Sequence, residues 1–272
     1  MKADIDYIIP NISYMVYRKC TPEWHLATRS LDFYNLMILT EGQCVFAWKD
    51  GFAKLTKGYG VLIPPGTMHS AVTDPDDLMH CYAFNFRYHC ACIENDEVTI
   101  YDYKDVPLPL DMVFKVTNLD RIVNILRELN DMWVHQRQGY KIKANGLFNV
   151  VIGELMGQHR LKGIAPAHIK RIENAVDYIN EHYDTPITIA DLAECAGLSP
   201  TYFEAEFKRI MGCTPIEYIN NLRIDRSIEL LLAGNYTIGE IAEKVGFSDI
   251  FYFSRVFKNK KGVSPTNYIK SS

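Results

Sequence analysis

No stretch of about eighteen apolar residues, the length a helix needs to cross a bilayer, occurs in the 272-residue chain. The amino terminus, MKADIDYIIPN, lacks the basic segment followed by an apolar core that marks a secretory leader. Both absences point to the cytoplasm and away from a membrane partner. Paired cysteine spacings are missing too: the seven cysteines are odd in number and form no framework, which fits reduced thiols. His89-Cys90-Ala91-Cys92 is the nearest thing to a metal motif, but it has no second matching pair, so an incidental role is favoured over zinc. A basic excess is also absent, with 29 Lys and Arg against 33 Asp and Glu and a net charge of −4, so no chain-wide field attracts nucleic acid.

What the chain does contain is one segment written twice. TIADLAECAGLS from Thr188 and TIGEIAEKVGFS from Thr237 share six of twelve residues, and YFEAEFKRIMGCTPIEYI from Tyr202 and YFSRVFKNKKGVSPTNYI from Tyr252 share eight of eighteen. Matches of that length about fifty residues apart are an internal duplication. Each copy has the parts of a helix-turn-helix. Thr188 with Asp191, and Thr237 with Glu240, predict capping boxes at the start of a first helix. Ala193 and Ala242 stand four residues before Gly197 and Gly246: a small side chain lets a second helix cross closely, and glycine accepts the left-handed turn. Ser199-Pro200 and Ser248-Asp249 predict the start of that second helix, whose apolar residues (Phe203, Phe207; Phe253, Val256, Phe257) recur at helical spacing. Its other face is free to enter a major groove. Thr214-Pro215-Ile216-Glu217 and Ser264-Pro265-Thr266-Asn267 repeat a cap-plus-proline start, and a long helix from Thr214 to about Ala233 separates the copies. One such unit would suit a purely structural helical domain equally well; two favour DNA.

Residues 169–269 closely resemble the AraC/XylS family of bacterial transcription regulators, most strongly at GFSDIFYFSRVFKNKKGVSPTNYI (Gly246 to Ile269). The resemblance implies two helix-turn-helix units joined by a long helix, promoter DNA and RNA polymerase as partners, and neither enzymatic activity nor a cofactor. Candidate DNA contacts are Thr201, Tyr202 and Glu204 in the first unit, and Ile250, Phe251, Ser254, Arg255, Lys258, Lys260 and Lys261 in the second. Charge supports an unequal pair. Residues 166–272 carry 12 Lys and Arg against 14 Asp and Glu, yet from Ile250 onward Arg255, Lys258, Lys260, Lys261 and Lys270 stand with no acid among them. Arg255 reads as a base or phosphate contact and the lysines as phosphate anchors, with a solvated basic tail as the alternative. Where family members commonly carry a polar residue and then an arginine, the first unit has Glu204 and Ala205, followed by Glu206. Glutamate is repelled by phosphates but can accept from a cytosine amino group, so this helix either reads cytosine or grips weakly. Ile250 and Phe251 point to contact with thymine methyls, unless Phe251 packs inward.

The first hundred residues read as antiparallel β structure, with short period-two runs split by glycine and proline. Phe33 to Leu39, Gln43 to Trp48, Gly60 to Pro64 and Met79 to Tyr88 are the clearest strands, suggesting a sandwich or barrel. In GYGVLIPPGTMHSAVT, Gly58, Pro64, Gly66 and His69 have the spacing of the second cupin motif, with Thr73 where asparagine is usual. Residues 20–90 resemble the sugar-sensing cupin half of AraC-type regulators. Cupin enzymes hold a metal with about three histidines and a glutamate, two histidines forming a His-x-His pair that this chain lacks. His69 is therefore read as binding an effector, or as merely structural, and no metal site is assigned. The last strand separates into Cys81, Ala83, Asn85, Arg87 on one face and His80, Tyr82, Phe84, Phe86, Tyr88 on the other, one of them lining the interior. His25, Arg29, Asn35, Trp48, His69 and Asn85 form the candidate effector site, since ring faces and a few polar groups suit a carbohydrate.

Two helices follow, near Asn118 to Gln136 and Lys141 to His159. The first is predicted to open on a Thr117/Asp120 capping box and to carry the stripe Leu119, Ile122, Leu126, Leu129, Trp133. Such a stripe packs on the barrel; in the resembled family an equivalent segment also forms a dimer interface, which would let Leu126 or Trp133 serve across a two-fold axis. Gly163-Ile164-Ala165-Pro166 reads as a hinge. The expected chain is an α+β protein in two domains: a cupin-like antiparallel β barrel over 1–115, a helical linker and dimerisation segment over 116–162, and an all-α DNA-binding domain over 167–272. Its expected function is a homodimeric transcription regulator controlled by a small-molecule effector, a carbohydrate. The alternatives are a cupin that only dimerises, and a cupin enzyme fused to a DNA-binding tail.

Overall fold

The computed structural model describes residues 7–94, 97–161 and 163–271, except the side chains of Ile93, Glu94, Arg160, Lys270 and Ser271. The Lys270 side chain and the first six residues, read above for charge and targeting, lie outside what is described. Two compact units divide between residues 162 and 163.

In the first unit, strands β1 (Tyr7–Lys19), β2 (His25–Arg29), β3 (Tyr34–Glu41), β4 (Gln43–Trp48), β5 (Gly51–Thr56), β6 (Tyr59–Ile63), β7 (His69–Thr73), β8 (His80–Glu94), β9 (Glu97–Asp102) and β10 (Val113–Lys115) precede helices α1 (Leu119–His135) and α2 (Tyr140–Arg160). They make two antiparallel sheets, one ordered β1-β8-β3-β6-β10 with β9 added to β8, the other β2-β7-β4-β5. The sheets share one apolar core, in which Met37, Leu39, Val61, Ile63 and Cys81 of the first meet Cys44, Phe46, Leu55 and Ala71 of the second. Period two sends the next residues of β8 to the opposite face. There Tyr82, Phe84, Phe86 and Tyr88 lie under the helices with Ile122, Leu126, Leu129 and Phe148. The Phe84 and Phe86 rings stand 5.3 and 4.8 Å from that of Phe148. Each such side chain contributes about 1.5–3 kcal/mol by leaving water.

This packing corrects two expectations about α1. Leu126 is 0 % exposed inside its own protomer, so it cannot reach across a two-fold axis; Trp133 is only partly buried, edge-on to Tyr140 at 5.8 Å. The Thr117/Asp120 capping box does not form. The helix starts after Asn118 without a side-chain cap, because the Thr117 N–H donates instead to Gln158 Oε1 of α2 at 3.0 Å. The pleat also separates the His89-Cys90-Ala91-Cys92 candidates, placing His89 on one face of β8 and both cysteines on the other. Among the described residues no helix is long and apolar enough to cross a membrane.

The second unit is helical: α3 (Pro166–His182), α4 (Ile189–Ala196), α5 (Pro200–Met211), α6 (Pro215–Ala233), α7 (Ile238–Lys244), α8 (Ile250–Lys261) and α9 (Pro265–Ser271). The duplication appears as two cores. Phe203 and Phe207 pack with Ile172, Leu192 and Ala193 in one, and Phe253 and Phe257 with Ile241, Ala242 and Phe247 in the other. Helix α6 spans both, giving Ile219 to the first and Ile224 and Leu231 to the second. Capping boxes form at Thr188/Asp191, Thr214/Glu217 and Thr237/Glu240. Both turns are then closed by the same pair of hydrogen bonds. Leu198 N–H donates to Ala193 O and Gly197 N–H to Glu194 O; Phe247 N–H donates to Ala242 O and Gly246 N–H to Glu243 O. This is the Schellman arrangement, which needs a left-handed residue at the glycine. The second helices start differently. Ser199 makes no side-chain cap before Pro200, whereas Asp249, not Ser248, caps α8 by accepting from Phe251 N–H at 2.8 Å.

The two turn glycines should respond unequally to substitution. Gly197 has φ +63° and open space where a Cβ would point, while at Gly246, φ +91°, a Cβ would stand 2.6 Å from Tyr183 O. Gly197→Ala is expected to cost about 1–2 kcal/mol from the left-handed backbone alone, and Gly246→Ala clearly more. Denaturant unfolding of the two variants checks this, and equal losses would contradict the close approach at Gly246.

Candidate nucleic-acid interface

Helices α5 and α8 occupy the recognition positions, and the repeat aligns them residue by residue. Thr201, Glu204, Ala205 and Lys208 correspond to Phe251, Ser254, Arg255 and Lys258, at spacings that share one face of a helix. Thr201, Glu204, Ala205, Lys208, Phe251, Arg255 and Lys258 are exposed, and Ser254 is half-buried. Phe251 is 82 % exposed and Ile250 39 %, which settles their direction: Phe251 points out. An exposed phenyl ring on a groove-reading face suits apolar contact with a thymine methyl.

Three charged candidates change role. Glu206 is buried at 6 % exposure, facing Arg209 and His168 rather than DNA. Lys260 Nζ donates to Asp225 Oδ2 at 2.8 Å and to Asn221 O at 2.9 Å, and Lys261 Nζ donates to Asp225 Oδ1 at 3.1 Å. These lysines tie α8 to α6 instead of standing free for phosphates, because the last turn of α8 lies along α6. Burial alone would raise the Asp225 carboxyl, but the hydrogen bonds and charges of Lys260 and Lys261 hold it below the ordinary aspartate value. Lys208 and Asn259, exposed on these helices, were not singled out from sequence. The repeat held the signal for Lys208, since it matches Lys258. The presented charge is therefore Glu204 with Lys208 in the first unit, against Arg255 with Lys258 in the second.

The effector candidates sit in the first unit, and strand register sorts them. Arg29 and Trp48 are both paired with His69 across the second sheet, and Asn35 is paired with Asn85 and Ile63 across the first. The short connections from Arg29 to Tyr34 and from Ile63 to His69 join the two rows, so both lie at one end of the shared core. Asn35 Nδ2 donates to Asn85 Oδ1 at 2.7 Å and Phe84 O at 3.1 Å. His69 is 1 % exposed, with Phe46 at 6.0 Å and Phe46 itself 5.8 Å from Trp48. Its Nδ1 lies 2.8 Å from Thr67 O. A carbonyl only accepts, so in the neutral ring Nδ1 carries the proton and Nε2 is left as an acceptor. His25 does not join this group. It is paired with Val72, next to inward Ala71, and so lies on the outer face, with Nδ1 against Glu23 O at 3.1 Å.

Two helix-turn-helix units built on one long helix define a DNA-binding protein, preceded here by a two-sheet domain of the ligand-binding kind. Two family models match: an AraC-like ligand binding domain over residues 11–129 and a helix-turn-helix domain over residues 192–271. The transcriptional regulatory protein HptR of Staphylococcus aureus (strain MRSA252) is 30 % identical over 198 residues, 62 % of this chain and 78 % of that protein. The HTH-type transcriptional activator Btr of Bacillus subtilis is 35 % identical over 159 residues, 57 % of this chain. The match spans only 30 % of Btr's length. Among solved structures, the C-terminal domain of AraT, a response regulator from Geobacillus stearothermophilus, is 32 % identical and covers 41 % of this chain and 89 % of its own, with a TM-score of 0.36. The chain belongs to the AraC family of helix-turn-helix transcription regulators.

Arg255 and Lys260 should separate in experiment. Arg255→Ala is expected to weaken specific DNA binding by about 1–3 kcal/mol, with little change in stability. Lys260→Ala should lower stability by up to about 1 kcal/mol and leave the salt dependence of DNA binding nearly unchanged. Titrations at two salt concentrations, set beside thermal unfolding, check both. A salt slope lowered by Lys260→Ala would return that lysine to the phosphates.

Proposed function

We propose that this regulator binds a carbohydrate effector among Arg29, Asn35, Trp48, His69 and Asn85, and that the effector alters how a homodimer presents α5 and α8 to promoter DNA. The observation that carries the reading is the cluster of polar and aromatic side chains at one end of an otherwise apolar inter-sheet core. The Trp48 ring offers a face for sugar C–H groups, the Asn35–Asn85 pair offers amide donors and acceptors, and His69 Nε2 accepts a hydroxyl proton. Contacts of α5 and α8 with successive major grooves would follow from two recognition helices on one staff, with half-sites about 34–36 Å apart. Thr201, Tyr202, Glu204, Ile250, Phe251, Ser254, Arg255 and Lys258 are the proposed DNA contacts. RNA polymerase is the proposed partner at the promoter, in the cytoplasm. The names of HptR and Btr, a regulatory protein and an activator, support a role in transcription rather than in catalysis.

A panel of sugars screened by thermal shift tests the effector. A ligand at about 100 times its Kd raises stability by about 2.7 kcal/mol if it binds only the folded state. His69→Gln, which keeps the volume of a buried side chain, should abolish that shift and the effector's influence on DNA binding while basal DNA binding remains. Full retention of effector affinity in a calorimetric titration would make His69 structural, and a panel with no stabilising sugar would favour a first domain that only dimerises.

A further inference from the structure

The inner face of α5 carries a charge that its counterpart lacks. Where α8 has Val256 against its core, α5 has Glu206 between Phe203 and Phe207. The side chain is 9 % exposed, and its two oxygens face different partners. Oε1 accepts from Arg209 Nη1 at 3.3 Å. Oε2 is buried without a hydrogen-bond partner and stands 3.6 Å from Nδ1 of His168 on α3. The same Nδ1 is 3.3 Å from the Tyr202 hydroxyl, with the two rings edge to face at 6.0 Å.

Tyr202, Glu206 and Arg209 follow one stripe along α5, at spacings of four and three residues. The stripe borders the groove-facing side of the helix at Ala205 and Thr201. Tyr202 and Arg209 are both substantially exposed beside that face. Side chains flanking a recognition helix meet phosphates and set its register rather than read bases. Arg209 also stands where α8 has Asn259, so the first unit holds a cation here that the second does not. That matters because Ala205 leaves it without the counterpart of Arg255.

We propose that Glu206 is a positioning residue for the first unit's grip on the DNA backbone, holding Arg209 directly and competing with Tyr202 for Nδ1 of His168, which frees the Tyr202 hydroxyl to meet a phosphate oxygen. The proposal rests on α5 being a DNA-contacting helix. The free protein keeps a buried carboxylate oxygen unpartnered, which is costly. In the neutral imidazole, Nδ1 can accept the Tyr202 proton or donate to Glu206, but not both. When Tyr202 turns its O–H to a phosphate, His168 takes the tautomer with its proton on Nδ1 and, by closing the present 3.6 Å gap, donates to the Oε2 that lacked a partner. No proton is gained or lost in that exchange. Docking thus relieves a deficit that a merely structural pair would keep.

Glu206→Val, which copies the second unit, separates positioning from structure. Removing one partner of a buried pair is costly only where it strands the other charge away from water; Arg209 and His168, the partners left behind, both reach solvent, so the thermal midpoint of the full-length variant should not fall. Its affinity for a duplex selected by the wild type from a randomised pool should nevertheless drop about fivefold, the scale of one net hydrogen bond. The loss of protection in a hydroxyl-radical footprint should be confined to the half-site under α5. Glu206→Gln, closest in shape, is the second arm should Glu206→Val fold poorly, and Tyr202→Phe added to either should cost little more. Absence of wild-type protection at that half-site would overturn the reading of α5 and the proposal with it. Full protection retained by both variants, or a loss shared by both half-sites that tracks the thermal midpoint, would overturn the proposal alone.

Discussion

One guanidinium ties the first helix-turn-helix, the staff helix and the second helix-turn-helix together. Arg223, in the middle of α6, donates from Nε to Tyr183 O at 2.7 Å and from Nη2 to Thr185 O at 2.8 Å. Its guanidinium carbon is 5.6 Å from the centre of the Phe247 ring in the second turn. The end of α3, the staff helix and the second helix-turn-helix are therefore joined at one point. Lysine could not replace it, because a point charge lacks the planar fork that reaches two carbonyls while stacking on a ring. The same crowding explains Gly246, whose missing Cβ makes room for Tyr183 O and for Arg223 itself. Farther along, Asn220 Nδ2 donates to the Tyr252 hydroxyl at 2.8 Å, and Asp225 receives Lys260 and Lys261. Helix α8 is thus held to α6 at both ends. Its phase relative to α5 is a property of the staff, and with it the spacing of the grooves the pair can enter.

An acidic chain binds DNA here by local placement of charge. Much of the positive charge counted at the carboxyl end is spent inside the domain, on Asp225, and much of the negative charge assigned to α5 is buried with Glu206. What remains outward is a nearly neutral Glu204/Lys208 face on α5 and a positive Arg255/Lys258 face on α8. The two units still differ in the expected direction, by less than a bare count suggests. Because the Asp225 carboxyl titrates lower in the folded protein than in the unfolded chain, its contribution to stability is complete above the unfolded value, about 3.9, and is lost as the pH falls through the folded one. The staff contact is intact at neutral pH, where DNA binding takes place.

How much of this was legible in the sequence follows from the range of the interactions involved. The capping boxes at Thr188 and Thr237, the glycines of both turns, the long helix and the inward phenylalanines depend on neighbours within about four residues, and all stand as read. Pairings across the fold were not legible. Nothing near Lys260 announces Asp225, thirty-five residues away, and Glu206 reads as exposed until α3 is laid beside it. The Thr117 cap failed for the same reason, since Gln158 competes for its N–H from a distance. Strands behaved likewise. β3, β4, β6 and β8 have buried, strongly patterned segments, whereas β1, with Pro10 and a register shift near Ile12, and β2, with its exposed residues, show no clear alternation. Five of the six effector candidates fall on rows at one end of the shared core, but a one-residue difference in register decides a face, and that difference put His25 outside.

The departure at Thr73 from the usual cupin pattern shows how the two ends of the sheet domain divide their work. Thr73 is buried, and its Oγ1 accepts the Met79 N–H at 2.8 Å, pinning the loop between β7 and β8. Gln43 strengthens that end by donating to Asp77 at 2.7 Å. Hydrogen bonds there are satisfied from within the chain. At the opposite end, the intramolecular bonds of His69 and of the Asn35–Asn85 pair leave an imidazole acceptor and amide groups with capacity to spare. A polar group inside an apolar core is stabilised by any partner that completes its hydrogen bonds, and only a conformation that brings these groups together offers all of them at once. A ligand that meets them therefore favours that conformation by its differential affinity.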